Sequence, residues 1–304
     1  VSTAIPDVLK AELPATKWGK VLGATPVVMT VIATLLAGLS NGEMTKAQYT
    51  RALAAQQQAK AGDQWGFFQA KRLRSAIQLG TLDVVQFTAD TAQPDAAALR
   101  AFAATLPGAD GVQAALTVLL SAQLPAAARS APPAPEVRTA LDGIGQGLPD
   151  AELIPHLNAA RPELVTAALR AAQADVRAFD ESLRPVITGG DRLGEAIDAS
   201  GPPALRRDFA RLRLNYSAMR YDAEAGLNRT VAGLYEVQVR QSNLVAERHQ
   251  RRSQWFFYGM LGAQAAVIIA TFAMAARQRN LLWSLATAAG LGALSFAAYV
   301  FLYL

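Results

Sequence analysis

VLGATPVVMTVIATLLAGLS at residues 21–40, WFFYGMLGAQAAVIIATFAMAA at 255–276 and LLWSLATAAGLGALSFAAYVFLYL at 281–304 decide the fold of this chain. None of them contains Asp, Glu, Lys or Arg. A bilayer core about 30 Å thick needs roughly 20 apolar residues of helix to cross it. The lengths of 20, 22 and 24 residues meet that requirement, so the pattern predicts three transmembrane helices. A turn of four residues, 277–280, makes the second and third spans a hairpin, and 214 residues separate the first span from the second.

Composition follows this division. Of the 304 residues, 52% are hydrophobic and 17% charged, a balance shifted by the spans. There is no cysteine, so disulfides and thiolate chemistry are excluded. With only His156 and His249, a multi-histidine metal centre is hard to assemble. No cofactor is implied. Residues 90–200 carry eight basic and fourteen acidic side chains, whereas 41–89 carry six against three and 201–253 ten against five. The basic flanks adjoin the membrane, where Lys and Arg are drawn to anionic lipid by about 1 kcal/mol each. Arg248, Arg251 and Arg252, just before the second span, are the candidate headgroup contacts. Lacking a binding motif, the basic residues do not indicate nucleic acid.

The first run follows Lys10, Lys17 and Lys20 but is longer than a signal core and lacks a small-residue cleavage site, so it reads as an uncleaved anchor. Arg277 and Arg279 in the short turn join those lysines in favouring a cytoplasmic tail and turn. Lys46, Arg51, Lys60, Arg240, Arg248, Arg251 and Arg252 pull the other way. Short loops obey the positive-inside bias while long domains cross largely regardless of charge. The expected location is therefore a bacterial inner membrane with the large domain periplasmic.

Between the spans the expected class is all-α. Residues 41–89 continue the first span as a stalk helix, and 203–254 run into the second, giving a long antiparallel stalk. Leu205, Phe209, Leu212, Tyr216 and Met219 alternate steps of four and three, the spacing of a coiled-coil seam. Their aromatic members are expected to face the other stalk helix. Prolines and glycines, including Pro155, Pro185, Gly189 and Gly190, punctuate residues 90–202, which therefore read as a head of short helices. Residues 125–135 read as a linker.

Charge inside a membrane is tolerated where transport or proton relay needs it, and these spans have none. Gln264 is their most polar side chain and is expected to bond between helices. Gly262, Ala266 and Ala270 in the second span, and Ala289, Ala293 and Ala297 in the third, form small-residue ridges that let helices approach closely. Packing within the hairpin is their ordinary role and oligomerisation the sharper one.

DQWGFFQAK at residues 63–71 supplies aromatic anchors. Trp65 and Phe68 lie three apart on one helical face, where they would contact a seam or a partner. With the first span and the C-terminal hairpin, this run resembles a bacterial membrane family of unknown function, the domain of unknown function 4337. The resemblance is carried by Gln64, Trp65, Phe67, Phe68, Gln69, Ala70 and Lys71 and lies in the two ends of the chain. The acidic head departs from it. It implies the topology and no established activity.

Enzyme motifs are absent from the sequence. GGDRLG at 189–194 lacks the context and spacing of a phosphate loop. Asp180 and Glu181 are adjacent, so on a helix their carboxylates diverge. The expectation is a structural or accessory membrane protein, not an enzyme, that forms a homo-oligomer or docks on a larger membrane complex. The alternative is a sensory or ligand-binding module, which a head pocket with convergent polar groups would favour.

Overall fold

The computed structural model describes residues 17–88, 93–125, 131–275 and 279–303. Lys10, Arg277 and the middle of the expected linker lie outside them. Among the described residues there are eight helices and no strand: α1 (Lys17–Thr88), α2 (Ala96–Ala104), α3 (Ala109–Ser121), α4 (Pro135–Gly145), α5 (Asp150–Ala159), α6 (Pro162–Ser200), α7 (Pro203–Ala275) and α8 (Arg279–Tyr303). The protein is all-α, and α1, α7 and α8 are each long and apolar enough to cross a membrane. The chain divides into two compact units, Val1–Ala54 with Ser242–Leu304, and Ala55–Gln241.

The first unit contains the three apolar segments. Met29 and Ala33 of α1, Ala263 and Ala266 of α7, and Ala293 of α8 form one buried cluster. Leu36, Phe256 and Val300 form another. Alanine and glycine make these contacts short: a Cβ on Gly262 would stand 3.4 Å from Ala289 O and Ala293 Cβ, and one on Gly259 would stand 3.1 Å from Ala293 O. Trp255 gathers Phe296 and Tyr299 at centroid distances of 5.4 and 4.9 Å. Outward-facing Val27, Val31, Leu35, Ile268, Phe272 and Leu291 are exposed, as the lipid-contacting side of a membrane bundle requires.

The second unit is built on a core in which α2, α3 and α6 meet α7. Leu99, Leu116, Leu183, Leu193 and Ile197 are fully enclosed there. Removing each such side chain from water contributes about 1.5–3 kcal/mol. Asp95 caps α2 by accepting from the amides of Ala97 and Ala98 at 3.0 and 2.9 Å.

Four helices of this region, α2 to α5, have 9 to 13 residues, while α6 has 39. The proline and glycine pattern concealed α6. Pro185, Gly189 and Gly190 lie inside it, and Pro155 lies inside α5, so His156 is helical and half-buried. Gly189 is a point of close approach: an added Cβ would stand 2.6 Å from Ala115 Cβ and 2.8 Å from Gly111 O on α3. The helix stops at Gly201, followed by Pro202 and Pro203.

Helix α1 meets α7 through small side chains. In the first unit Ala33, Ser40, Ala47 and Ala54 are buried, and in the second Ala61, Ser75 and Leu82 are buried with Phe68 half-buried. All follow a step of seven, the repeat of left-handed supercoiled helices.

The two classes of glycine give an opposed pair of expected outcomes. Gly189→Val should destabilise by about 1–3 kcal/mol through overpacking. Gly62→Ala, where an added Cβ meets nothing within 4 Å, should stabilise by up to about 1 kcal/mol. Thermal unfolding of the detergent-solubilised chain measures both, and an unchanged apparent Tm for Gly189→Val would contradict the close contact.

Candidate functional site

Polar groups join α1 to α7 within each unit. In the first, Ser40 Oγ donates to Ser253 O at 3.0 Å and Ser253 Oγ donates to Ser40 O at 2.9 Å, both buried. Each residue's backbone carbonyl supplies the acceptor that the apolar surroundings deny to the other's hydroxyl. His249 Nδ1 lies 2.6 Å from Glu43 Oε2, and Lys46 Nζ lies 2.8 Å from Glu43 Oε1. Burial pushes the Glu43 carboxyl up, but hydrogen bonds from Lys46 and His249 outweigh it and hold the group below the ordinary glutamate value. Arg51 pairs with Gln250.

In the second unit Trp65 Nε1 donates to Glu236 Oε1 at 3.2 Å, and its ring meets Phe68 edge-on at 5.5 Å. One step further along, Lys71 pairs with the buried Glu224, Arg72 pairs with Asp222, and Ser75 Oγ donates to Ala218 O at 2.9 Å. Partner numbers on α7 fall as those on α1 rise, so the helices are antiparallel here.

Glu224 is the centre of a charged cluster. Arg220 Nε approaches its Oε1 at 3.4 Å, an ion-pair contact without hydrogen-bond geometry, which leaves that buried Nε unsatisfied. Tyr221 receives the Arg220 guanidinium over its ring at 4.5 Å and the Lys71 ammonium at 5.4 Å. Partial burial, then the Glu224 charge, raise the Asp180 carboxyl above its ordinary value, against the opposing pull of Lys71, Arg220 and Arg184. A carboxylate enclosed by cations is a structural clamp. Beside it lies a cavity of about 440 Å³ whose wall includes Val186, Phe209, Arg213, Tyr216, Arg220 and Tyr221. The Tyr216 hydroxyl is buried without a hydrogen-bond partner, and burial raises it above the usual phenol value. Arg213 pairs with Asp191 at 2.9 Å. Among the described residues no group of His, Cys, Asp or Glu has the arrangement of a metal site.

The residues singled out from sequence divide between these places. Leu205, Phe209 and Tyr216 are buried against α2, α3 and α6, with Leu212 packed at the edge of that core. The aromatic side of α7 thus faces the other head helices, correcting its expected pairing with the first stalk helix. Met219 lines a groove with Arg72, Ser75 and Leu79 of α1. Ala266, Ala270 and Ala293 are buried, and Gly262, Ala289 and Ala297 half-buried, in the first unit. Arg248 and Arg251 are exposed and Arg252 half-buried. Gln264 is exposed in a groove with Thr30 and Thr34 and makes no cross-helix hydrogen bond among the described residues, unlike the expectation. Lys71 of the DQWGFFQAK run neutralises Glu224. The step-of-seven line of mostly alanine and serine, which the reading of the sequence missed, is the signal that marks the α7-facing side of α1.

Residues 18–108 match the model of one family, the domain of unknown function DUF4337. The match contains the first apolar segment and the DQWGFFQAK run, and it stops short of the C-terminal hairpin that also carried the resemblance. No curated protein and no solved structure matches the chain. Within the matched span, Ser40, Glu43, Trp65, Lys71, Arg72 and Ser75 are among the side chains that tie α1 to α7.

Removing one partner of a buried pair costs about 3–5 kcal/mol, whereas removing both costs less. Lys71→Met should therefore destabilise more than Lys71→Met combined with Glu224→Leu. Unfolding of the two single variants and the double variant gives the coupling. Strict additivity would show that Arg220 alone satisfies Glu224.

Proposed function

We propose that the protein is an accessory component of a bacterial inner membrane, anchored by three spans, whose extramembrane helices assemble with further copies or with a larger membrane complex. The observation that supports this reading is the use of its polar side chains. Lys71, Arg72, Trp65, Arg213 and Arg240 each pair with an acid on a neighbouring helix, which fixes helices in place. With no Asp, Glu, Lys, Arg or His in the apolar segments, assembly is a better reading than transport. In this reading the large domain is periplasmic, following the charge bias of the short turn.

Extraction into a mild detergent followed by native mass measurement tests it. The expected product is an oligomer or a complex with another chain, and recovery as a lone monomer would count against assembly.

A second reading, a ligand-binding membrane module, draws support from the cavity beside Tyr216. Its apolar wall and the cations Arg213 and Arg220 suit a small anion with an apolar body. Aromatic monocarboxylates should then raise the apparent Tm of the parent chain and not of Arg213→Met. A panel of such acids that leaves both chains unchanged would rule this reading out.

A further inference from the structure

Helix α1 carries a second apolar line. Ala70, Leu73, Ile77, Gly80, Val84 and Phe87 follow alternating steps of three and four, the spacing of a coiled-coil seam. In a heptad with Ala70, Ile77 and Val84 at a and Leu73, Gly80 and Phe87 at d, the buried line through Ala61, Phe68, Ser75 and Leu82 occupies f. That position lies on the opposite side of the helix from the a/d seam. One side of α1 is therefore closed by the chain itself while the other is apolar and open. Leu73 is 62% exposed, Ile77 54%, Val84 60% and Phe87 91%, and a Cβ added to Gly80 would meet nothing within 4 Å. A contiguous apolar strip of this kind in water marks an interaction surface.

We propose that this face pairs with the same face of a second copy of the chain, the two α1 helices running parallel. The inference rests on the assembly reading and names its surface. Three observations select this occupant. First, α1 is one helix from the apolar segment at residues 21–40 to Thr88, so two copies inserted in the same sense in one membrane point their α1 helices the same way. Second, β-branched residues at a with Leu at d favour parallel two-stranded coiled coils, and Ile77, Val84 and Leu73 hold those positions. Third, charge does not oppose the pairing. Arg74 at e lies across from Gln69 at g of the second copy, and Thr81 at e from Ala76 at g, so neither pair sets like charges together. Gly80 at d lets the two backbones approach between the layers of Ile77 and Val84.

The absence of cysteine makes the test direct. Full-length chains carrying Ile77→Cys, on the seam, or Gln86→Cys, away from it, are oxidised mildly in native membranes. Two a positions in a parallel pair fall within disulfide reach, so Ile77→Cys should give about tenfold more linked dimer than Gln86→Cys. Native mass in mild detergent should show two copies for the parent chain, and one for Ile77→Asp with Val84→Asp at unchanged helical circular dichroism. Equal cross-linking at both positions, or a parent chain of one copy, overturns the pairing. One copy bound to a different chain also overturns it, yet leaves the assembly reading standing. Cross-linking only between co-expressed Leu73→Cys and Val84→Cys chains would overturn the parallel arrangement.

Discussion

Close approach of α1 to α7 is the constraint on which the rest depends. Every seventh residue of α1 from Ala33 to Leu82 is buried or half-buried, and all but Phe68 and Leu82 are alanine or serine. Short side chains bring two backbones near enough for hydroxyls to reach carbonyls, as Ser40 does with Ser253 and Ser75 with Ala218. Within the apolar segments the same economy of size recurs at Gly259, Gly262 and Ala293, where α8 joins. Dispersion and interhelical hydrogen bonding are the available attractions there, since lipid offers no hydrophobic drive between helices.

In the second unit the hydrophobic drive returns and the architecture changes accordingly. Large side chains of α7, Leu205, Phe209 and Tyr216, are buried against α2, α3 and α6. Helix α7 thus has a bulky side for the core and a polar, small-residue side for α1. The two faces do different work. The first contributes most of the apolar burial, while the second contributes directional contacts centred on Glu224.

Legibility from sequence followed the scale of each signal. Uncharged runs of 20 or more residues announce membrane helices without help from tertiary structure, and all three coincide with segments of α1, α7 and α8. The extent of α6 was hidden because Pro185 and Gly189 are breakers by local propensity, whereas packing against Gly111 and Ala115 of α3 makes glycine a requirement within a helix. The seam through Leu205, Phe209 and Tyr216 was visible as periodicity, but periodicity does not name the face it meets. Lys71 and Glu224 are 153 residues apart, and nothing local to either advertises the other. Only the antiparallel registration of two long helices brings them together.

That registration has a mechanical consequence. An interface of alanine and serine is nearly flat, so knobs and holes resist axial slippage weakly. Sliding α1 by seven residues, about 10.5 Å at 1.5 Å per residue, would put small side chain on small side chain again from Ala33 to Ala54, while Phe68 and Leu82 would meet new neighbours. The directional contacts break this degeneracy. Such a slip would strand Glu224 without Lys71 and Glu236 without Trp65, so these pairs act as pins on an otherwise smooth rail.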